Sequence, residues 1–411
     1  MKLKRFNTID KNSINAAIKV LKKGKLSPFV GNWKNDKIVG SFYGGENVQK
    51  LENKIKNYFR VKYAITVNSW TSGLICALGA LDIKPGDEVI VSPWTMCASA
   101  TSIIHWMAVP VFADIDYETY NITADTIKKK ITKFTKAIIV PDIMGQSAEI
   151  DKIMRLARKK KLKVISDSAQ AIGIKYKGKY AGTYADIGGF SFNYHKPINC
   201  GEGGVVFTNN KLLAQKMFLI RNHGEAVVKK MNFKNINNII GYNFRLGEIE
   251  ASIAIEQLND LKNIINKRVK MASILNNGLQ NLPFLKIPKL QNGSQHLYYY
   301  YALKFTNKRF DKKKILKELN NLGVPLEGLY ANLHLLPMFQ KKIAYGKFPW
   351  SKKIYKGKVS YKKGTCPIAE KINEKEYLGL HLYKYDYKLS DISRIVSLFK
   401  KVWKKNFNDP N

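Results

Sequence analysis

The chain has 411 residues, of which 45% are hydrophobic, a normal globular share that excludes a disordered or fibrous protein. A length of this kind is typical of roughly two or three domains. The 70 basic residues outnumber the 31 acidic ones, so the formal net charge is +39.

Short runs of β-branched residues alternate with amphipathic runs between positions 63 and 210. These runs predict strands at 64–67, 88–91, 109–113, 137–140, 163–166, 187–192 and 204–207, and helices at 73–81, 98–106, 123–132 and 150–160. Thr123 is the expected N-cap of its helix. Further along, the pattern predicts a long helix at 246–279, a strand at 297–305, and helices at 312–322 and 389–403.

Strands that alternate with helices are typical of a mostly parallel sheet covered on both faces. We therefore predict an α/β protein in which residues 1–262 form a large domain, with a mostly parallel mixed sheet between helices. Residues 263–411, joined to it by the long helix, are expected to form a smaller α+β C-terminal domain. Because ligands of such sheets bind beyond the carboxyl ends of the strands, the residues that follow each strand are the first places to search for a site.

The positive charge raises the possibility of a polyanionic partner: nucleic acid, an anionic membrane or a phosphorylated substrate. The excess is nearly all lysine, spread evenly along the chain, whereas arginine is preferred for base edges and forked phosphate contacts. Nucleic acid is therefore not an expected partner.

Cysteine usage and hydropathy limit the compartment. The four cysteines are far apart and form no CxxC pair, which disfavours a zinc site or a disulfide framework. The N-terminus has no apolar signal segment, and the most apolar stretch, 98–112, is too short and too polar to span a bilayer. We expect a soluble cytoplasmic protein without a membrane span or a bound metal.

Two polar segments at strand ends could hold an anion or a charged ligand. Thr71 and Ser72 lie between a strand and a helix, where hydroxyls and free backbone N–H groups can bind an anion, although a plain helix cap is the commoner explanation. Asp167 ends an apolar strand, so its buried carboxylate needs a partner. A structural arginine or a cofactor nitrogen would explain it equally well.

A third segment runs from Ser191 to Lys196, between a strand and the Gly-rich turn 201–204. A lysine held out of water loses its proton more easily and becomes a nucleophilic amine. A surface position is the default for any one lysine in this chain, but the aromatic and Gly-rich surroundings favour a reactive Lys196. His195 is expected to be a neighbour of the reactive group. The segment 241–245 and the loop around His334 carry weaker signals, and His334 would ordinarily be a loop histidine.

Together these features predict a site for pyridoxal 5'-phosphate. The aldehyde requires an amine, the ring nitrogen requires a carboxylate that keeps it protonated, and the phosphate requires fixed donors.

On these motifs the sequence resembles the DegT/StrS family of sugar aminotransferases, which have the aspartate aminotransferase fold (fold type I of the pyridoxal phosphate enzymes). The resemblance extends from about residue 43 to residue 403 and preserves the order and spacing of the motifs. It implies that Lys196, in Ser191-Phe192-x-x-x-Lys196, is the catalytic lysine that bonds to the cofactor aldehyde. It also implies that Asp167 pairs with the pyridine nitrogen and that Gln170 lies on the hydroxyl side of the ring.

The resemblance further implies which residues hold the phosphate and the substrate. Thr71, Ser72 and Ser191 would hold the phosphate of the same subunit. Asn243, in the motif Gly-x-Asn-x-Arg, reaches the phosphate of the neighbouring subunit in the family, which implies a homodimer with shared active sites. The candidate substrate residues are Asn193, Arg245 and His334.

Four positions depart from the family pattern. Thr95 is followed by Met96, where an aromatic ring usually stacks on the cofactor, so either Met96 or Trp94 is expected to cover the ring. Asn193 replaces a histidine, and Trp70 replaces a small residue of the phosphate loop. Residues 142–145 read Asp-Ile-Met-Gly in place of His-Leu-Tyr-Gly.

The expected function is transfer of an amino group from L-glutamate to a keto sugar, in the first instance a nucleotide-linked one, for surface polysaccharide or amino-sugar biosynthesis. A cyclitol or aminobenzoate precursor as acceptor, a sugar dehydratase, and a regulator without enzymatic activity are the alternatives. In the dehydratase subgroup a histidine replaces the reactive lysine, so Lys196 favours transamination.

Overall fold

The computed structural model describes residues 3–34, 37–307, 310–328 and 330–407. Its α-helices are α1 Lys11–Lys23, α2 Glu46–Phe59, α3 Trp70–Ala80, α4 Ala98–His105, α5 Ala124–Lys128, α6 Ile150–Lys159, α7 Lys211–Arg221, α8 Glu248–Leu279, α9 Lys312–Asn321, α10 Pro337–Lys341, α11 Pro367–Lys371 and α12 Leu389–Phe407. Its strands are β1 Gly31–Lys34, β2 Lys37–Gly40, β3 Tyr63–Val67, β4 Glu88–Val91, β5 Val109–Phe112, β6 Thr135–Pro141, β7 Lys163–Asp167, β8 Lys175–Tyr176, β9 Lys179–Tyr180, β10 Ile187–Ser191, β11 Gly204–Thr208, β12 Leu285–Lys286, β13 Tyr300–Phe305, β14 Leu326–Glu327 and β15 Tyr377–His381.

The main sheet has seven strands in the order β3-β11-β10-β7-β6-β4-β5. The four pairs from β10 to β5 are parallel, and β11 is antiparallel to both of its neighbours. Strands β4, β5, β10 and β11 are buried along their whole length, as expected for a sheet covered on both faces. The predicted α/β architecture with a mostly parallel mixed sheet is therefore confirmed.

The register of β7 and β10 determines what lies at the carboxyl edge of the sheet. These parallel neighbours pair Gly189 with Asp167, so Asp167 and the segment that follows Ser191 leave the sheet side by side. This places the predicted carboxylate and the predicted lysine segment at one edge.

A second sheet, β12-β13-β15-β14, is antiparallel and packs with the C-terminal part of the chain. The long helix α8 contacts α1, α2 and α12 and thereby links both parts of the molecule. The predicted domain boundary at residue 262 falls within this unbroken helix and stays a prediction. Several side chains of the segment 333–372 belong to the core of the main sheet: Leu333, Phe339, Trp350, Tyr355, Tyr361, Cys366, Ala369 and Ile372.

Local signals explain where prediction and structure differ. Helix α3 begins at Trp70, three residues before the predicted start at 73, because the Ser69 side chain caps it and accepts the N–H of Ser72. The predicted Thr123 cap is confirmed, but its helix ends at Lys128 rather than at 132. Helices α1, α2 and α7 and strand β15 were missing from the predicted elements.

The described part of the chain contains no helix long and apolar enough to cross a membrane. Of the four cysteines, Cys76, Cys200 and Cys366 are buried and Cys97 is exposed, and all four are free.

A buried ion pair connects the end of α7 to α2. Arg221, at the end of α7, donates to Glu52 over 2.7 Å, to the backbone carbonyl of Thr66 over 3.2 Å and to that of Tyr43 over 3.0 Å. Burial raises the pKa of Glu52, and the guanidinium of Arg221 opposes that rise. Both side chains are buried.

Replacement of Arg221 by Met should lower the free energy of unfolding by about 3–5 kcal/mol, because it leaves the Glu52 carboxylate buried without its cation. Urea unfolding of the full chain measures the loss. Lys23→Met is the matched control, since Lys23 and Glu46 form an exposed pair and its loss should leave the midpoint unchanged. Equal midpoints for the Arg221 variant and the natural chain would contradict the prediction.

Candidate active site

A cavity opens at the carboxyl edge of the main sheet, where β7 and β10 end. Seven of the predicted site residues line it: Thr71, Met96, Asp167, Gln170, Ser191, Asn193 and Lys196. Ser69, Trp70, Asp142, His195, Glu202 and Tyr330 are also part of its wall. The predicted amine and the predicted carboxylate therefore face one cavity.

Lys196 follows β10 and has its amine in a nearly dry environment. Its side chain is buried, its Nζ donates to the Tyr299 hydroxyl over 3.2 Å, and the same Nζ lies 4.6 Å from the centre of the Tyr299 ring. Burial lowers the pKa of Lys196 to about 8, and the negative charge of Asp167 opposes that fall. A large fraction of this amine is therefore unprotonated and nucleophilic in mildly alkaline solution.

Asp167 ends β7, and each of its carboxylate oxygens has a donor. The indole Nε1 of Trp70 donates to Oδ1 over 2.6 Å, and the Ser99 hydroxyl donates to Oδ2 over 2.8 Å. Burial raises the pKa of Asp167, whereas these two hydrogen bonds and the charge of Lys196 lower it. The donors hold the carboxylate in one orientation at the base of the cavity.

The start of α3 supplies hydroxyls and free N–H groups at another part of the wall. Ser69 and Thr71 line the cavity, and Thr71 is exposed. The described residues of the wall do not include Ser72, whose hydroxyl donates to Asn68 Oδ1 over 2.7 Å and whose N–H donates to Ser69 over 3.1 Å. In this structure Ser72 belongs to the helix cap and Ser69 lines the cavity, so the expectation that Ser72 holds the phosphate stays a prediction.

Two residues were predicted as alternatives for covering a flat ligand. Met96 lines the cavity and is 50% exposed. Trp94 is fully buried, and its indole N–H donates to the backbone carbonyl of Tyr330 over 2.7 Å. Only Met96 of this pair is on the described wall, so Trp94 is excluded as the cover in this conformation.

Gln170 is held between two parts of the fold. Its Oε1 accepts the N–H of Met144 over 2.9 Å, and its Nε2 donates to the Tyr330 hydroxyl over 3.1 Å. Tyr330 was not predicted, and neither was Tyr299, the partner of Lys196. Both lie in the C-terminal part of the chain, remote in sequence from the motifs, and no local pattern marks them.

The predicted substrate residues are divided between the wall and other places. Asn193 lines the cavity and donates to Glu202 Oε1 over 2.7 Å, while its own Oδ1 is buried with no hydrogen-bond partner among the described residues. His195 also lines the wall, as a neighbour of Lys196. Burial and the charge of Lys196 lower the pKa of His195 to about 4, so this ring is neutral near pH 7.

Arg245 and Asn243 lie outside the described wall of this subunit. Arg245 donates to Asn222 Oδ1 over 3.0 Å, and the exposed Asn243 pairs with Asn222 through its backbone.

His334 is buried and paired with a carboxylate of the C-terminal part of the chain. Its side chain is 0% exposed, and its Nε2 lies 2.8 Å from Glu370 Oε1, a carboxylate that also accepts the backbone N–H groups of Gly364 and Cys366. The described wall of the cavity does not include His334, and its expected role on the substrate side stays a prediction.

A buried lysine amine with a lowered pKa and a hydrogen-bonded aspartate face one cavity at the carboxyl edge of this sheet, which is the arrangement of an aminotransferase of the pyridoxal phosphate fold type I class. The family model of the DegT/DnrJ/EryC1/StrS aminotransferase family matches residues 37–383, and the chain belongs to this family.

Two curated relatives and one solved structure illustrate the likeness. GDP-perosamine synthase of Escherichia coli O157:H7 is 35% identical over 74% of this chain and 81% of its own length. UDP-4-amino-4,6-dideoxy-N-acetyl-beta-L-altrosamine transaminase of Campylobacter jejuni is 31% identical over 90% of this chain and 92% of its own length. The aminotransferase of Psychrobacter cryohalolentis superposes with a TM-score of 0.82 at 27% identity, covering 99% of this chain and 100% of that one.

The family implies pyridoxal phosphate, and the residues of the cavity fit it. Lys196 offers an amine to an aldehyde, and Asp167 offers an anionic oxygen to a protonated ring nitrogen. The N-terminus of α3, with Ser69 and Thr71, and the hydroxyl of Ser191 offer donors to a phosphate. The Oδ1 of Asn193 is buried without a hydrogen-bond partner among the described residues and could accept a donor from a bound group.

In the protein freed of cofactor, the rate at which acetic anhydride labels Lys196 should rise around pH 8, well below the 10.5 of an ordinary lysine. Asp167→Asn should move this midpoint to lower pH, because it removes the negative charge that raises the pKa of Lys196. Mass spectrometry of the labelled peptides provides the measurement. The exposed Lys211 is the internal reference and should have the same profile in both proteins. A midpoint for Lys196 that Asp167→Asn leaves unchanged would rule out the coupling of the two groups.

Proposed function

We propose that the protein transfers an amino group from L-glutamate to a keto sugar linked to a nucleotide, in the synthesis of an amino sugar for a surface polysaccharide. The observation that carries the proposal is the presence of Lys196 and Asp167 on one cavity in a chain whose relatives include a GDP-perosamine synthase and a UDP-sugar transaminase over most of their length. A spore coat polysaccharide biosynthesis protein of Bacillus subtilis, 31% identical over 77% of this chain, supports the polysaccharide context.

Pyridoxal phosphate, when bound, supplies an electron sink for the carbon that loses a proton. Lys196 would provide the base: its amine, with a pKa of about 8, would take a proton from the donor's α-carbon and then, as a general acid, deliver that proton to the former aldehyde carbon of the cofactor. Asp167 remains anionic and keeps the ring nitrogen protonated. The hydroxyl of Tyr299, which accepts a hydrogen bond from Lys196 Nζ, would position the amine between the two proton transfers.

The acceptor side of the cavity is polar and adaptable. Met96 covers the opening with a flexible thioether, and Asn193 with Glu202 provides hydrogen-bonding groups for sugar hydroxyls. The large excess of lysine favours the approach of a diphosphate group by electrostatic steering.

The alternatives have weaker support. A dehydratase would carry histidine at the position of Lys196, and here the lysine is present and lines the cavity. A cyclitol or aminobenzoate precursor would use the same reacting groups, so only the acceptor assay separates it. A regulator without activity has no need of a nucleophilic amine beside a fixed carboxylate.

We also propose a homodimer with shared active sites. Val30, Ile236 and Ile240 are large hydrophobic residues with exposed fractions of 84%, 62% and 57%. Their neighbourhood includes Asn243, because Asn222 donates to the carbonyl of Phe29 and pairs with Asn243. An apolar exposed surface beside Asn243 is what contact with a second copy would cover.

With L-glutamate alone, the purified enzyme should convert its bound cofactor from the aldehyde to the amine form and release one equivalent of 2-oxoglutarate. The loss of visible absorbance measures this conversion. Addition of a nucleotide-linked 4-keto sugar should restore the original spectrum. Lys196→Ala should do neither, and Lys211→Ala is the matched control that should do both. A spectrum restored only by keto cyclitols or free keto acids would exclude the nucleotide sugar but leave the transaminase intact. No response to any amino donor would overturn the transaminase.

Shared sites predict complementation between two inactive subunits. Lys196→Ala and Asn243→Ala proteins, each weak alone, should regain roughly a quarter of the natural activity after subunit exchange, since each mixed dimer has one intact site. The turnover assay measures this recovery. Lys196→Ala mixed with Asp167→Asn is the control and should stay inactive, because both residues serve the site of their own subunit. Equal results from the two mixtures would contradict shared sites.

A further inference from the structure

Trp70 connects two parts of the cavity wall, the start of α3 and the end of β7. It is the first residue of α3, the helix whose N-terminus offers donors to a phosphate, and its indole ring is only 6% exposed. The indole N–H donates to Asp167 Oδ1, at the end of β7, over 2.6 Å. One side chain thus links the start of α3 to the carboxylate at the base of the cavity.

The surrounding backbone makes room for this ring at two glycines. A Cβ atom on Gly73 would lie 2.8 Å from Cε3 of Trp70, and a Cβ on Gly189 in β10 would overlap the ring. Gly189 is buried in the centre of the sheet and has no unusual φ, so its missing side chain serves close packing rather than a turn. The position of the indole is therefore enclosed by the helix and the sheet.

The hydrogen bond acts on a group that burial would otherwise neutralise. Asp167 is buried, which favours the uncharged acid, and its two side-chain donors, Trp70 and Ser99, favour the anion. A neutral acid in a random rotamer could not keep a ring nitrogen protonated. Of the two donors, only Trp70 also belongs to α3, whose N-terminus would hold the phosphate.

We infer that Trp70 is a positioning residue for the cofactor's ring nitrogen: its N–H holds the Asp167 carboxylate anionic and at a fixed spacing from the N-terminus of α3. The inference rests on the identity of the cofactor and is independent of the acceptor sugar.

The test compares two ligands of the cofactor-free full chain that cannot bond to Lys196: pyridoxamine 5'-phosphate and its analogue with C–H in place of the ring nitrogen. Trp70→Phe retains an aromatic ring and removes the N–H. It should weaken pyridoxamine 5'-phosphate by about tenfold, the usual effect of losing a hydrogen bond to a charged group, and leave the affinity for the analogue nearly unchanged. Equilibrium dialysis gives both dissociation constants.

Trp106→Phe is the matched control. Trp106 is also 6% exposed, and its indole N–H donates over 2.9 Å, but to the backbone carbonyl of Ile75. It should leave both affinities as they are. Trp70→Leu, which also lacks the N–H, should reproduce the selective loss, and circular dichroism of each variant verifies that it is folded.

Three outcomes would overturn the inference: equal weakening of both ligands by the Trp70 variants, no weakening of either, or the same selective loss in Trp106→Phe. Failure of the natural protein to bind pyridoxamine 5'-phosphate would instead disprove the cofactor and with it the proposed function, so the two failures are distinguishable.

Discussion

Burial of a positive and a negative group in the same cavity is the constraint on which the site depends. Removal from water lowers the pKa of Lys196 and raises that of Asp167, so burial alone would leave a neutral amine and a neutral acid. The proposed amino transfer needs the neutral amine, but a neutral acid could not keep a ring nitrogen protonated. Hydrogen bonds favour different charge states at the two groups. Asp167 has two side-chain donors, which favour its anion. Lys196 contacts the phenol of Tyr299, which has no negative charge that would stabilise the protonated amine.

This separation is possible because the two groups come from adjacent parallel strands. The pairing of Gly189 with Asp167 places the end of β7 beside β10, and the loop after Ser191 then brings Lys196 over the same opening. The glycine at this register position also admits the ring of Trp70. A single stretch of sheet register thus determines where the acid is, where the lysine loop begins and how close the aromatic donor can approach.

Sequence reasoning succeeded where a residue's role follows from its place along a strand. The strand runs, the position of Asp167 at a strand end and the loop that carries Lys196 were all readable from hydrophobic pattern and spacing. It failed where the direction of a side chain decides. Ser69 and Ser72 are three residues apart in one helix start, and only the cap geometry shows that the first lines the cavity and the second does not. The substrate role of His334 stays a prediction, because spacing alone does not distinguish a loop histidine bound to Glu370 from one that faces a substrate. Tyr299 and Tyr330 could not be found, since only the folded C-terminal part of the chain brings Tyr299 to Lys196 and Tyr330 to the cavity wall.

The positions that depart from the family pattern share a location. Trp70, Met96, Asn193 and Asp142, the first residue of the altered run 142–145, all line the cavity. The reacting pair, Lys196 and Asp167, is retained among them. Replacements around an unchanged amine and acid alter the shape and the hydrogen-bonding groups that a substrate meets while leaving the proton-transfer groups in place. Asp142 illustrates the difference: burial raises its pKa to about 6, but its carboxylate accepts the hydroxyl of Ser168 and the N–H of Ala148, so it serves the wall and not the transfer. We therefore expect selectivity for the acceptor to depend on these wall residues, whereas the strand register beneath them places Lys196 and Asp167 together.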